Sequence, residues 1–382
     1  MNVKRLVGVL LVVFLLAACR FEAAPDAESR LEAQAGSWGL NIGFFDESYA
    51  SGSTTVATDG NNIETAYSTY NVGSGCLDIR VKKWSGSSWT NVGSDLSGSS
   101  TRGVISCYAF NPSLALDASG NPVVAWDEET ASGTNIYVQR FNGTDWENLT
   151  PLGLAGSNDL ERTSQRPSLA LDSSGNPVVA WDEYDGSGTN IYVQRFDGTN
   201  WIPIGVNLGN PGATARNPSL ALDRSDNDKP VVSWVEDSGK LQVQKYNGAN
   251  WESVGSALDW SLRGQYAKSS VALDSAGNPT IAWESDDGSD FNIYVRRFDA
   301  STNTWANVGS GVLSVSSVAD SDAQSPSLVL DSSGNPIVAW QEFLGDGNSW
   351  NIYVQRFTGG AWLNVGSTPD TPVDPVLTSY YE

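Results

Sequence analysis

Residues Asn111 to Trp146 read NPSLALDASGNPVVAWDEETASGTNIYVQRFNGTDW, and Arg166 to Trp201 read RPSLALDSSGNPVVAWDEYDGSGTNIYVQRFDGTNW. Four looser copies of the same phrase surround them. An Asp closes the first apolar run of each copy, at Asp59, Asp117, Asp172, Asp223, Asp274 and Asp331. A Trp opens the fourth run, at Trp89, Trp146, Trp201, Trp251, Trp305 and Trp362. The second run carries Trp126, Trp181, Trp234, Trp283 and Trp340, with Tyr67 in the first copy. A period of about 50 to 60 residues with four short strands per copy is the pattern of a propeller blade. The expected fold is all-β: a six-bladed β-propeller of four-stranded antiparallel blades, at about 45–95, 104–152, 163–208, 213–258, 266–311 and 323–368.

With the third copy as guide, strand a is expected over Ser168 to Asp172, b over Pro177 to Glu183, c over Asn190 to Phe196 and d over Trp201 to Val206. Asp172-Ser173-Ser174-Gly175 has Asp and Gly where a tight turn wants an amide cap and a positive φ. Asp197-Gly198 marks the c–d hairpin. The b–c and d–a connections are longer and variable, so one face of the disc is trimmed and the other carries loops. The strands are apolar on both faces, as sheets covered on both sides must be. Each strand-b Trp follows a small residue (Ala125, Ala180, Ser233, Ala282 or Ala339), which is expected to make room for a bulky side chain of the adjoining blade.

The N-terminus gives the expected address. Lys4 and Arg5 precede an apolar run from Leu6 to Ala18 that is too short to span a bilayer comfortably. It ends in Leu16-Ala17-Ala18-Cys19, which resembles the lipobox of bacterial lipoproteins. That resemblance implies a signal peptide over 1–18, acylation of Cys19, and a chain anchored to a membrane of the bacterial envelope, periplasmic or surface-exposed. Residues 19–36 then read as a polar tether, and 37–382 as the propeller, with 369–382 sealing the ring.

Charge and composition narrow the partners. There are 22 Lys+Arg against 44 Asp+Glu; without Lys4 and Arg5, 20 stand against 44, a net −24. Such acidity argues against nucleic acid, whose phosphates need clustered cations. The chain has no His, which removes the commonest general base and any Ser-His nucleophile. Of three cysteines, Cys76 and Cys107 remain for one disulfide.

The c–d hairpin, Ile191-Tyr192-Val193 then Phe196-Asp197-Gly198 and Trp201, resembles the Tyr-to-Trp segment of kelch propellers, without their double Gly. The Asp-Gly-x-x-Trp order resembles the Asp-box of sialidase-type propellers, without its leading Ser. The sialidase Arg-Ile-Pro signature has no counterpart. The strand-c cations Arg140, Arg195, Arg297 and Arg356, with Lys83 and Lys245, recur in every blade and are expected to pair with blade acids.

Candidate ligand-binding residues gather at the loop-bearing end. Glu128, Glu183, Glu236 and Glu342 stand two residues after a strand-b Trp. If strand b lies near the axis, their carboxylates form an acidic rim, open to a cation such as Ca²⁺. Tyr184, Trp260, Tyr266 and Trp350 depart from the polar loop consensus, and Arg166 and Arg216 precede strand a on the same face. Aromatic rings with Arg and Glu nearby suit sugar recognition, and six-bladed fucose-binding lectins are similar in general plan. The expectation is a monomeric, non-catalytic binding or scaffold propeller that takes a glycan or an envelope protein, with no cofactor beyond that Ca²⁺. The alternatives are a glycosidase or lyase of sialidase-like type, or a Ca²⁺-dependent adhesion module.

Overall fold

In the computed structural model the described residues run from 50 to 365, apart from 60–61, 72–74, 98–107, 131–132, 151–152, 155–162, 187, 211–212, 260–266, 287, 289, 314–321 and 344–349. Cys19, Cys107, Trp260 and Tyr266 lie outside them, as does the side chain of Trp350. No helix among the described residues is long and apolar enough to cross a membrane.

The chain is a β-propeller of six four-stranded antiparallel blades. Blade 1 holds β1 (Ala50–Thr58), β2 (Ile63–Asn71), β3 (Cys76–Trp84) and β4 (Trp89–Asn91), and blade 2 holds β5 (Ala109–Leu116), β6 (Pro122–Thr130), β7 (Gly133–Phe141) and β8 (Trp146–Asn148). Blade 3 follows with β9 (Thr163–Leu171), β10 (Pro177–Tyr184), β11 (Thr189–Phe196) and β12 (Trp201–Pro203). Blade 4 has β13 (Ala215–Asp223), β14 (Lys229–Glu236), β15 (Lys240–Tyr246) and β16 (Trp251–Ser253), plus a short β17 (Leu258–Asp259) paired on β15. Blade 5 has β18 (Ser269–Leu273), β19 (Pro279–Asp286), β20 (Phe291–Asp299) and β21 (Thr304–Leu313). Blade 6 has β22 (Asp322–Leu330), β23 (Pro336–Phe343), β24 (Trp350–Thr358) and β25 (Ala361–Asn364).

Strand a of each of blades 1 to 5 packs on strand a of the next blade, so strand a is innermost. This corrects the expectation that strand b might lie nearest the axis. A hydroxyl links these inner edges: the amides of Leu169, Leu220, Val271 and Leu328 donate to Ser113, Ser168, Ser219 and Ser270 Oγ of the preceding blade at 3.0–3.1 Å. Each bond satisfies an edge amide that no strand covers.

The expected Trp interlock holds. Trp126, Trp181, Trp234, Trp283 and Trp340 are buried. Trp126 packs with Ala66, Trp181 with Ala125, Trp234 with Ala180 and Trp340 with Ala282, each alanine belonging to the preceding blade. A Tyr on strand c stacks on four of the rings, with centroids 5.5–6.0 Å apart. The strand-d Trp residues staple blades at the outer edge: Nε1 of Trp146, Trp201, Trp251, Trp305 and Trp362 donates to a carbonyl of the previous blade at 2.9–3.1 Å. Gly205 shows the fit, for a Cβ there would sit 2.7 Å from Trp251 Nε1, and its φ is +69°.

The a–b turns form as read. Asp172 Oδ1 accepts the amides of Ser174 and Asn176 at 3.0 and 2.9 Å, and Asp117, Asp274 and Asp331 repeat the arrangement. The strand-c cations pair less uniformly than expected. Lys245 and Arg356 meet the strand-a acids Asp223 and Asp331 at 2.7 Å, but Arg140 meets Glu147 on strand d, and Arg195 and Arg297 bond carbonyls of Asp228 and Gly334.

Candidate functional site

Strand b ends, and strand a begins, at the loop-bearing end. Along strand b, alternate residues face opposite neighbours. The Trp and the residue two further on share one side. The residue between them faces the next blade.

On the first side the glutamates do not form a solvent-facing rim. Glu128, Glu183, Glu236 and Glu342 are at most 1% exposed. Each accepts the indole N–H of its own strand's Trp: Trp126 to Glu128 at 3.0 Å, Trp181 to Glu183 at 3.0 Å, Trp234 to Glu236 at 3.3 Å and Trp340 to Glu342 at 2.8 Å. The physical reason is plain: a Trp buried between blades must place its one donor, and a carboxylate two residues along the same strand is in reach.

The intervening position differs from blade to blade: Ser68, Asp127, Asp182, Val235, Glu284 and Gln341. Its carboxylates meet the start of the next blade's strand a. There a β-bulge at Arg166-Pro167, Asn217-Pro218 and Ser325-Pro326 turns one residue to a left-handed conformation, with φ of 53° to 54°. The freed amide points at the preceding blade. Arg166 N donates to Asp127 Oδ1 at 2.9 Å, Asn217 N to Asp182 Oδ1 at 3.4 Å and Ser325 N to Glu284 Oε2 at 2.5 Å.

Arg166 links two of these acids. Its amide serves Asp127, and its guanidinium grips Asp182 with both arms, Nε to Oδ1 at 2.8 Å and Nη2 to Oδ2 at 2.5 Å. Asn111 adds a bond from Nδ2 to Asp127 Oδ1 at 2.9 Å. All three acids are buried, and burial governs their protonation. It lifts Asp127 to about 6 against the pull of Asn111 and Arg166, with the nearby Asp182 charge adding to the rise. It lifts Glu284 to about 7 against the Ser325 amide and Lys268. Asp182 is also raised by burial, opposed by the Arg166 fork and by the charge of Arg216.

The other candidates take varied places. Arg166 is held by Asp182, and Arg216 is half-buried near the same acid. Tyr184 is 44% exposed, its hydroxyl donating to the Gly186 carbonyl at 3.2 Å. Trp350 begins β24, paired with Phe343. Among the described residues no group of three or more His, Cys, Asp or Glu side chains is arranged to hold a metal ion. On the trimmed face, a groove of about 510 Å³ between blades 5 and 6 is lined by Arg297, Phe298, Asp299, Asn307 and Phe357 among others.

Sequence reading put the recurrent glutamates forward as ligands and named Asp127, Asp182 and Glu284 only as further acids of the nearby loops. The useful pattern was the position after each strand-b Trp, where ring-forming repeats cease to agree.

No family model matches the chain, and no curated protein matches it. Solved structures share the fold. A protein of unknown function from Dyadobacter fermentans superposes with a TM-score of 0.51 at 13% identity, covering 80% of this chain and 94% of its own. The α-L-arabinanase of Penicillium chrysogenum follows at 0.48 and 10%, covering 80% and 92%. The Aleuria aurantia lectin gives 0.44 and 14%, covering 84% and 97%. At 10–14% identity these likenesses bear on the fold alone. The expectation of a non-catalytic module is withdrawn, because a fold shared at this distance with an α-L-arabinanase gives no ground for excluding catalysis. The sequence argument against catalysis rested on the absence of His, the near-identity of the blades and the lack of a distinct acid–base cluster, and the acids at the varying position remove the last two grounds.

Proposed function

We propose that this protein acts on carbohydrate, as a propeller-type glycosidase whose acid–base groups are the buried carboxylates at the loop-bearing end. One observation carries it: Asp127 and Glu284, at a position that the blades do not share, are buried carboxyls raised to about 6 and about 7. Glycoside hydrolysis asks for a carboxylic acid still protonated at working pH, together with a second carboxylate. Asp127 and Glu284 supply the first, and Asp182, clasped by Arg166, supplies the second. The exposed rings of Tyr184 and Tyr108 offer stacking faces for sugar C–H surfaces. Site chemistry supports this function, since structural likeness at 10–14% identity fixes the fold alone. The test is turnover of a panel of aryl glycosides, including arabinosides and galactosides. Release of aglycone that falls at least a hundredfold in Glu284→Gln or Asp127→Asn supports the assignment. Absence of turnover across the panel, or full turnover in both variants, rejects it.

We also propose that Cys19 is acylated and anchors the chain to a bacterial envelope membrane, which the lipobox-like sequence supports. Two acyl chains or more are needed for lasting attachment. Cys76 and Cys107 are proposed to form a disulfide. Cys76 is buried, and the next residues along, Leu77 and Tyr108, are joined by a parallel bridge.

A further inference from the structure

Blade 5 breaks the Trp–Glu rule, and it does so twice. Two residues after Trp283 stands Ser285, where blades 2, 3, 4 and 6 have glutamate. Trp283 is 2% exposed, and its Nε1 has no hydrogen-bond partner among the described residues. On strand c, the position held by Gln139, Gln194, Gln244 and Gln355 in those four blades is Arg296. The Arg296 guanidinium lies over the Trp283 ring, 5.8 Å from its centroid. Tyr294 covers the ring as well, at 5.5 Å.

These two exchanges act in one direction. Glutamate to serine removes a carboxylate beside a buried N–H donor and leaves a short hydroxyl in place of the carboxymethyl group. Glutamine to arginine adds a cation beside the same ring. The surroundings of the indole change from negative to positive, with a buried donor left unanswered, and such donors are rare in folded proteins because they cost free energy. Neighbouring acids are turned elsewhere. Glu284 faces the opposite side of the strand and accepts from Ser325. Asp259, exposed and within the influence of Arg296, is paired to Lys240 at 2.5 Å.

We propose that the seam between blades 4 and 5 is a binding site for a carboxylate group brought by a ligand. That carboxylate takes the place of the missing glutamate, accepts the Trp283 indole N–H beside Ser285, and is neutralised by Arg296. The chemistry fits a small carboxylic acid or the carboxylate of an acidic sugar, and the site is independent of the acids proposed for glycoside cleavage.

The experiment is thermal unfolding of the full chain, with tryptophan fluorescence in parallel, in sodium formate, acetate or glucuronate against sodium chloride at equal ionic strength. A carboxylate-specific rise in Tm and a fluorescence change are expected. A rise with glucuronate alone assigns an acidic sugar; a rise with all three shows that the carboxylate group suffices. Ser285→Glu is expected to raise Tm in chloride and to abolish the response. Arg296→Gln is expected to weaken the apparent affinity about tenfold, as loss of a charge-assisted partner does. Identical Tm in formate, acetate, glucuronate and chloride overturns the proposal. So does an undiminished response in Arg296→Gln, a variant that carries the residue of four sister blades and tests the site even where Ser285→Glu fails to fold.

Discussion

At the scale of single residues, the fold is held by donors that each find a specific acceptor. Trp181 illustrates it: the ring fills the seam beside Ala125, Tyr192 stacks on it, and Glu183 takes its N–H. Trp181→Ala is expected to cost about 3–5 kcal/mol and Glu183→Ala about 1–3 kcal/mol, read from denaturant titration. Equal stability of either variant with the parent would show that the seam does not depend on that ring. Glu64 is the opposite case. It is buried in the core position that holds Val123, Val178 and Val231 in other blades, paired only to half-exposed Lys83 at 3.4 Å, and burial lifts its carboxyl to about 7. Glu64→Val is expected to raise Tm at pH 8, since a well-packed aliphatic group outdoes a poorly compensated buried pair. A lower Tm at pH 8 would show that the pair stabilises blade 1. Glu284 gives a pH signature. Its folded value is raised from 4.5 to about 7, so the folded state holds the proton longer than the unfolded chain. The associated stability is complete below about 4.5 and is lost as pH climbs to about 7. Glu284→Gln is expected to flatten that part of the stability profile, and an unchanged slope would contradict the shift.

At the scale of elements, the sequence was most legible where local chemistry acts alone. Asp172 and Gly175 announced the a–b turn, and Asp197-Gly198 the c–d hairpin, because turn geometry is set by the residues within it. Strand a was read too short, from Ser168. The observed strand begins at Thr163 and passes through a bulge at Arg166-Pro167, whose unpaired amide is taken by Asp127 of another blade. A partner 39 residues away leaves no local trace. The serine that follows each of Pro112, Pro167 and Pro218 was likewise visible as a repeat, yet its bond to the next blade's inner edge follows only from knowing that strand a is innermost. Gly205→Ala tests the outer edge. The added methyl meets Trp251 and a backbone at φ +69°, so a loss of about 1–3 kcal/mol is expected in thermal unfolding. A neutral result would mean that the staple yields without strain.

At the scale of the molecule, repetition builds a scaffold and its exceptions mark function. Six blades agree on the strand-a Asp and the strand-d Trp, all but blade 1 on the strand-b Trp, and four on the Asp-capped a–b turn, so these residues carry packing. They disagree at the residue after the strand-b Trp and, in blade 5, on the acceptor of the indole. Sequence reading weighted what recurs, and so placed the recurrent glutamates in a binding rim when they are core acceptors. The central claim is that the varying acids at the loop-bearing end, not the groove on the trimmed face, meet the glycan. A crystal structure of the Glu284→Gln protein soaked with an oligosaccharide tests this most directly. The expected result is sugar at the start of strand a, within hydrogen-bond reach of Asp127, Asp182 or Gln in place of Glu284. Sugar confined to the cleft between Arg297 and Phe357, with those acids untouched, would contradict it.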